Sequence, residues 1–523
     1  MSEELVSVWP EKKIIKQPLI SLMRQTFQRM GQKRALTCVK KGKVETRLSF
    51  FELDQGSEIT ARRFLDMGLM KGDCVVLFLP KCLAWVLAHL AIMKNGAITV
   101  PLNPAFKKRE VEYFLHQTRP KLAVVGPGQA EIIRDIDPDL PLMTIDPEKP
   151  YEKLDQPEHE PVLESPPDIS LTDPGVIIFT SGTTGRPKGA VLTQGNLSHD
   201  AQNIIRIWEM SQADTLCHAL PLFHAHGLCF ALHTCLLTGA AMVMLDAFEA
   251  KTVLNILSQK EGETACTVFM AVPTMYARLT ESASEADFDF SHLRLLTSGS
   301  APLLAKDFMR IKEVFGQEPV EREGMSETGM NFSNPLRGKR VPGSIGLPLP
   351  DLEVRVVNPE SRQDVPPGET GELWLKGPGI TPGYWRNPEE TEKAFVRGWF
   401  RTGDLGRKDE TGYYFLSDRI KHIIISGGEN ISPKEIEQVI NVLEGVRESC
   451  VVGIPDPAWG EKVVAALTLN PGSNLTADQV KAHLKKNLLD WKCPKEILFV
   501  DELPKNQMGK ILKDKVKEFF TNK

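Results

Sequence analysis

Up to about residue 415 the chain alternates short apolar runs with longer stretches of helical periodicity. Cys74–Leu79 precedes Ala84–Met93, Leu122–Val125 precedes a polar stretch, and Ala241–Leu245 precedes Thr252–Leu257. Strand-sized runs separated by helix-sized ones predict an α/β fold with largely parallel sheets. After Gly343 the runs shorten and turn residues punctuate them, as at Glu353–Val357, Glu372–Lys376 and Tyr413–Leu416, which predicts a β-rich subdomain. Beyond Asp418 the pattern predicts a helix at Pro433–Val439, strands at Ser449–Gly453 and Val463–Leu469, a helix at Ala477–Leu488 and a last strand at Glu496–Val500. The expected organisation is a large N-terminal domain (1–418) of mixed sheets flanked by helices plus the β-rich subdomain, then a small α+β C-terminal domain (419–523). The Pro-, Glu- and Asp-rich segment Asp146–Thr172 reads as a solvated connector.

Two apolar stretches invite a membrane reading. Cys74–Met93 is interrupted by Pro80 and Lys81, and Leu228–Leu245 contains His233, Thr234, Thr238 and Gly239. Neither reaches the roughly 18 unbroken apolar residues of a spanning helix, so no integral membrane segment is expected. The second stretch predicts a buried helix from about Gly227 to Leu237 and then a strand at Ala241–Leu245.

The connector leads into T-S-G-T-T-G-R-P-K-G at 180–189, with the apolar run Val176–Phe179 before it and Ala190–Thr193, a returning strand, after it. Gly182, Gly185 and Gly189 allow close backbone approach to an anion, Thr180, Ser181, Thr183 and Thr184 donate hydrogen bonds, and Arg186 and Lys188 supply countercharge. A glycine-rich hairpin over a polyphosphate is expected. It is not a Walker A loop, which opens a helix.

The 523 residues exceed what one core usually serves, so two or more domains are expected. With 63 Lys+Arg against 68 Asp+Glu the formal charge is −5, which makes no case for nucleic acid and points to small-molecule partners. Nine cysteines stand apart with no C-x-x-C pair, so neither a zinc site nor a disulfide framework is expected. The N-terminus has no basic region followed by an apolar stretch, and a cytoplasmic location is expected.

Seven further motifs follow the loop in order: P-L-F-H-A-H-G at 221–227, S-G-S-A-P at 298–302, R-E-G-M-S-E-T at 322–328, W-F-R-T-G-D at 399–404, D-R-I-K at 418–421, S-G-G-E-N-I-S-P at 426–433 and P-K-N-Q-M-G-K at 504–510. Together they resemble the adenylate-forming superfamily of acyl-CoA synthetases, carrier-loading adenylation domains and luciferases, over about residues 45–515. The resemblance implies two steps. A carboxylate attacks the α-phosphate of ATP to give acyl-adenylate and pyrophosphate, and a thiol then attacks the acyl carbon and expels AMP.

On the same resemblance, Thr184 and Glu327 hold Mg²⁺ and the phosphates, as hard oxygen ligands do. Asp404 accepts the ribose hydroxyls, and Arg419 contacts ribose or phosphate. Ser300, Ala301 and Pro302 pass along the adenine edge, and Glu323, Gly324, Met325 and Ser326 complete the ATP site with Thr180, Ser181, Gly182, Thr183 and Lys188. Lys510 is the catalytic cation that offsets repulsion between carboxylate and α-phosphate; taken alone, its surroundings read as a solvated basic face. The C-terminal domain is expected to be mobile, with Lys421 at the hinge and Ser426, Gly427 and Gly428 lining the pantetheine tunnel of coenzyme A. An ordinary glycine turn would look the same in sequence.

The stretches around Arg322 and R-V-P-G-S-I-G at 340–346 look like malonyl-CoA synthetases, in which the arginine holds the substrate's distal carboxylate. Arg322, with His224 and His226, is therefore expected to line the acyl pocket, and an arginine there predicts an anion opposite it. An ion pair of Arg322 with Glu321 or Glu323 is the structural alternative. Glu323 departs from the family pattern, which usually has Tyr there. The expected activity is ATP-dependent acid–thiol ligation on a short dicarboxylate such as malonate or methylmalonate, with oxalate, aryl and medium-chain acids or carrier loading as alternatives. A luciferase-like oxygenase or a silent nucleotide-binding scaffold are more distant readings.

Overall fold

The computed structural model describes residues 8–149, 167–180, 187–283, 287–427, 429–505 and 511–521. The chain forms two compact units, Met1–Glu353 with Leu375–Phe400, and Val354–Trp374 with Arg401–Lys523. Among the described residues no helix is long and apolar enough to cross a membrane. The connector's residues 150–166 lie outside the described set.

Two sheets organise the first unit. One has six strands in the order Leu142–Thr144, Leu122–Val125, Cys74–Phe78, Ile98–Pro101, Pro174–Thr180, Lys188–Thr193. All its pairings are parallel except the last, where Lys188–Thr193 returns antiparallel along Pro174–Thr180. The helix Leu83–Lys94 is buried on nearly every side, so it reads as apolar throughout rather than amphipathic.

The other sheet has nine strands, ordered Leu347–Pro348, Gly329–Ser333, Val320–Met325, Leu295–Ser298, Val268–Ala271, Thr215–His218, Ala241–Leu245, Arg34–Lys40, Lys43–Ser49. Its centre is parallel and its two edges are antiparallel. Inner strands buried on both faces read as unbroken apolar runs, which is why the expected parallel strands match so closely.

The buried helix expected over Gly227–Leu237 forms, though not as one regular α-helix. The chain forms a π-helix at His226–His233 and turns α-helical only at Thr234–Thr238. Tertiary crowding accompanies the wider turn, because a Cβ at Gly227 would lie 2.0 Å from the Pro221 carbonyl oxygen.

In the second unit, Ile424–Ser426 and Glu429–Ile431 form a hairpin on a sheet completed by Gly460–Leu469, Val446–Asp456 and the parallel strand Glu496–Phe499. Alternate residues feed two cores. Val451, Val463, Ala465 and Leu467 meet Ile436, Ile440, Val480 and Leu484 on one face, while Cys450, Val452, Val464 and Ala466 meet Leu503, Val516 and Phe520 on the other.

Candidate active site

Strands Pro174–Thr180 and Lys188–Thr193 are the two legs of the glycine-rich loop, with Thr180 paired to Lys188 at its mouth. Thr180 donates its hydroxyl to Glu327 Oε1 at 2.9 Å, and Tyr384 donates to the same oxygen at 3.3 Å. The Glu327 carbonyl receives the Thr381 N–H at 2.7 Å, so backbone and side chain of this buried acid are both fixed. Lys188 is ion-paired with Glu390 and lies 5.2 Å from the Tyr384 ring centroid. Glu390 stands in the first turn of helix Pro388–Ala394, capped by Asn387. The structure thus brings Thr180, Lys188 and Glu327 together, held by Tyr384 and Glu390, which the sequence reading did not name. The only signal was N-P-E-E at 387–390, a helix start that carries no hint of its long-range partner.

Arg322 projects from strand Val320–Met325, which pairs antiparallel with Gly329–Ser333. Its neighbours are engaged elsewhere. Glu321 accepts the Gly343 N–H at 2.8 Å and Glu323 accepts from Asn331 Nδ2 at 3.0 Å. Arg322 is 3% exposed, its Cζ sits 5.0 Å from the Phe230 ring centroid, and none of its three guanidinium nitrogens has a hydrogen-bond partner among the described residues. Burial draws it down to about 10, against which the charges of Glu323 and Asp200 act from a distance. Of the expected alternative, an ion pair with Glu321 or Glu323, the described residues show no hydrogen bond from Arg322 to either acid, while the charge of Glu323 does act on it.

Glycine is required beside it, since a Cβ at Gly299 would lie 2.7 Å from the Arg322 backbone carbonyl oxygen as well as 2.6 Å from Arg322 Nε and 2.7 Å from Cζ. Ser300 follows at φ +68°, Ala301 and Pro302 continue the loop, and the Ser300 hydroxyl shares a hydrogen bond with His226 Nδ1 at 3.2 Å. His226 is buried and its Nε2 has no hydrogen-bond partner among the described residues; burial and the Arg322 charge hold it neutral, well below the ordinary histidine range. Burial also lowers His224 to about 4. One side of this site therefore gathers Arg322, His226 and Ser300 around unsatisfied donors.

Asp200, on helix Gln194–Ile207, was also missed. Its Oδ1 accepts the Met330 N–H at 2.8 Å, and Gly329, at φ +71°, leaves room that a Cβ would fill at 2.8 Å from that oxygen. Burial raises Asp200 to about 7. It pins the turn that follows Gly324, Met325, Ser326 and Glu327. A carboxylate inside the stripe Leu197, Ala201, Ile204 was the readable signal.

In the second unit, Asp404 and Arg419 face each other across antiparallel strands, with Arg419 Nε 2.7 Å from Asp404 Oδ1. Lys421 lies in the single turn Ile420–His422. Ser426 ends a hairpin strand, and Gly427, at φ +63°, donates its N–H to the Trp459 carbonyl at 2.8 Å while a Cβ there would lie 2.9 Å from the Trp459 ring. Ser181, Gly182, Thr183, Thr184, Gly428 and Lys510 lie outside the described residues.

Residues 23–385 match the family model of the AMP-binding enzyme, and residues 435–510 match the AMP-binding enzyme C-terminal domain. The chain is 34% identical over 499 residues to the mitochondrial malonate–CoA ligase of Bos taurus, covering 88% of this chain and 84% of the relative. It is 33% identical over 528 residues to the oxalate–CoA ligase of Arabidopsis thaliana, covering 97% and 99%. ATP-bound MatB from Rhodopseudomonas palustris superposes with a TM-score of 0.89 at 34% identity, over 97% of this chain and 99% of that one. The chain belongs to the AMP-binding, adenylate-forming enzyme family.

Proposed function

We propose that this enzyme is an AMP-forming acid–thiol ligase that converts a short dicarboxylate, malonate first, to its coenzyme A thioester at the expense of ATP. The observation that carries the substrate class is Arg322, a buried guanidinium whose three nitrogens, with five N–H donors between them, make no hydrogen bond among the described residues. A buried cation without a partner is costly, and a distal carboxylate supplies both the charge and the acceptors. Charge-assisted pairing of this kind contributes about 1.5–3 kcal/mol, a preference of roughly 10- to 100-fold over a neutral analogue. Malonate– and oxalate–CoA ligases among the relatives support the same class.

The glycine-rich loop with Thr180 and Lys188 would hold the phosphates, and Asp404 with Arg419 the ribose. Met325 and Ser326, with Ser300–Pro302, would border the adenine. Glu327 fits a hard cation: its Oε1 is anchored by two hydroxyls, and Oε2 receives neither of those bonds. With Thr184 it would hold Mg²⁺, which when bound neutralises phosphate charge. The substrate carboxylate forms its bond to the α-phosphorus as the bond to pyrophosphate breaks. The thiol sulfur then bonds the acyl carbon as AMP leaves. Lys510 serves the first step, Ser426, Gly427 and Gly428 admit the thiol in the second, and residues 419–523 turn about Lys421 between them.

The test is a panel of malonate, methylmalonate, succinate, oxalate, butyrate and benzoate with ATP, Mg²⁺ and coenzyme A. Malonate or methylmalonate should exceed butyrate in kcat/KM by at least about tenfold. Parity of butyrate or benzoate with the diacids removes the dicarboxylate reading, and absence of pyrophosphate release with every acid removes the adenylation reading. Glu327→Gln should weaken the apparent affinity for Mg²⁺ about tenfold in a magnesium titration of pyrophosphate release. An unchanged midpoint would place the metal elsewhere.

A further inference from the structure

Lys81, seen in the sequence only as a break in an apolar run, follows strand Cys74–Phe78 in the six-stranded sheet yet makes its bonds at the end of strand Thr215–His218 in the nine-stranded one. Its Nζ lies 3.0 Å from His218 Nδ1, 2.9 Å from the His218 carbonyl oxygen and 3.0 Å from the Leu220 carbonyl oxygen. On the other edge of the ring, His218 Nε2 is 2.9 Å from the Gly227 carbonyl oxygen. A carbonyl can only accept, so Nε2 carries the proton. The buried ring is held neutral, which leaves Nδ1 as a lone pair for the lysine. With Lys81 as an ammonium its three N–H groups meet these three acceptors, while burial draws the amine down to about 7.

The bonds close a loop. Lys81 grips its start at His218 and Leu220, and His218 grips its end at Gly227, where a Cβ would strike the Pro221 carbonyl. Between those points lie His224 and His226, and His226 is the residue that reaches Ser300 beside Arg322. We infer that Lys81, acting through His218, is a positioning residue that sets the 219–227 loop, and with it His226, as one wall of the acyl site. The inference rests on the proposed role of that loop in acid binding. It assigns no chemistry to Lys81 itself.

Lys81→Met keeps the length of the side chain and removes the donors. It should raise KM for the best acid of the panel about tenfold while KM for ATP stays within about twofold, and Lys81→Arg should recover part of the loss. Equal increases in both KM values, or a lower thermal midpoint with KM for the acid unmoved, would make Lys81 a merely structural residue and overturn the inference. A second measurement stands without any variant and without any active substrate. Side-chain ¹⁵N NMR of the wild-type protein should show His218 protonated at Nε2 and bare at Nδ1, and a protonated Nδ1 sinks the clamp even if the ligase reading survives. If the wild type activates no acid at all, the proposed function falls while the NMR result still decides the clamp.

Discussion

Lys510→Ala is expected to slow acyl-adenylate formation by about 10²- to 10³-fold while leaving thioester formation from supplied acyl-adenylate within about threefold. The first step brings a carboxylate against a phosphate that is already anionic, and negative charge accumulates on the oxygens around the α-phosphorus as the new bond forms. A cation placed there acts most strongly at the transition state, and positioning and charge neutralisation are almost all the protein can contribute to such a transfer. The thiol step starts from a neutral mixed anhydride centre and has no comparable repulsion to overcome. Pre-steady-state pyrophosphate release measures the first step, and a quench-flow assay with synthetic acyl-adenylate and coenzyme A measures the second. Acetylation of Lys510 removes the same charge and should reproduce the pattern, reversed on deacetylation. Adenylation that continues at its original rate in the alanine variant would remove Lys510 from the mechanism.

The strands were legible because burial on both faces leaves an unambiguous mark: Leu122–Val125 and Ala241–Leu245 are runs of apolar residues and form strands with those bounds. The π-turn at His226–His233 left none, since a shift from i→i+4 to i→i+5 bonding changes no residue's polarity. Thr180, Lys188 and Glu327 could be named from the sequence because they stand in short motifs. Tyr384 and Glu390 could not, because what they do depends on the fold laying 384–390 against 180–188 and not on any local spacing. Asp200 and Lys81 share a different signature, a charge inside an apolar pattern. In both cases the side chain satisfies backbone or ring atoms of a loop that borders the site. An interrupting charge was read in the sequence as a reason against a membrane span, when its fuller meaning was a tertiary anchor.

Arg322→Met should lower kcat/KM for malonate by about 100-fold, leave butyrate unchanged or improved, and leave the thermal midpoint unchanged or raised. Three facts lead there. The guanidinium is buried and none of its nitrogens has a hydrogen-bond partner among the described residues, so its removal takes away a desolvation penalty and not a hydrogen bond. Methionine fills similar space against Phe230 with a flexible apolar side chain. And the loss falls on the one substrate class that brings its own anion, which separates this outcome from general damage to adenylation. Arg322→Lys should fall between, because an ammonium restores the charge but not the planar fork that meets both carboxylate oxygens. Gly299→Ala approaches the same question from the other side: its Cβ, 2.6 Å from Arg322 Nε, would push the guanidinium from its place without changing its charge, and should also cut malonate more than butyrate. Steady-state kinetics on the two acids with a melting curve for each variant decides the matter. Equal losses for mono- and diacids in Arg322→Met would mean that Arg322 shapes the site without holding the substrate's second carboxylate.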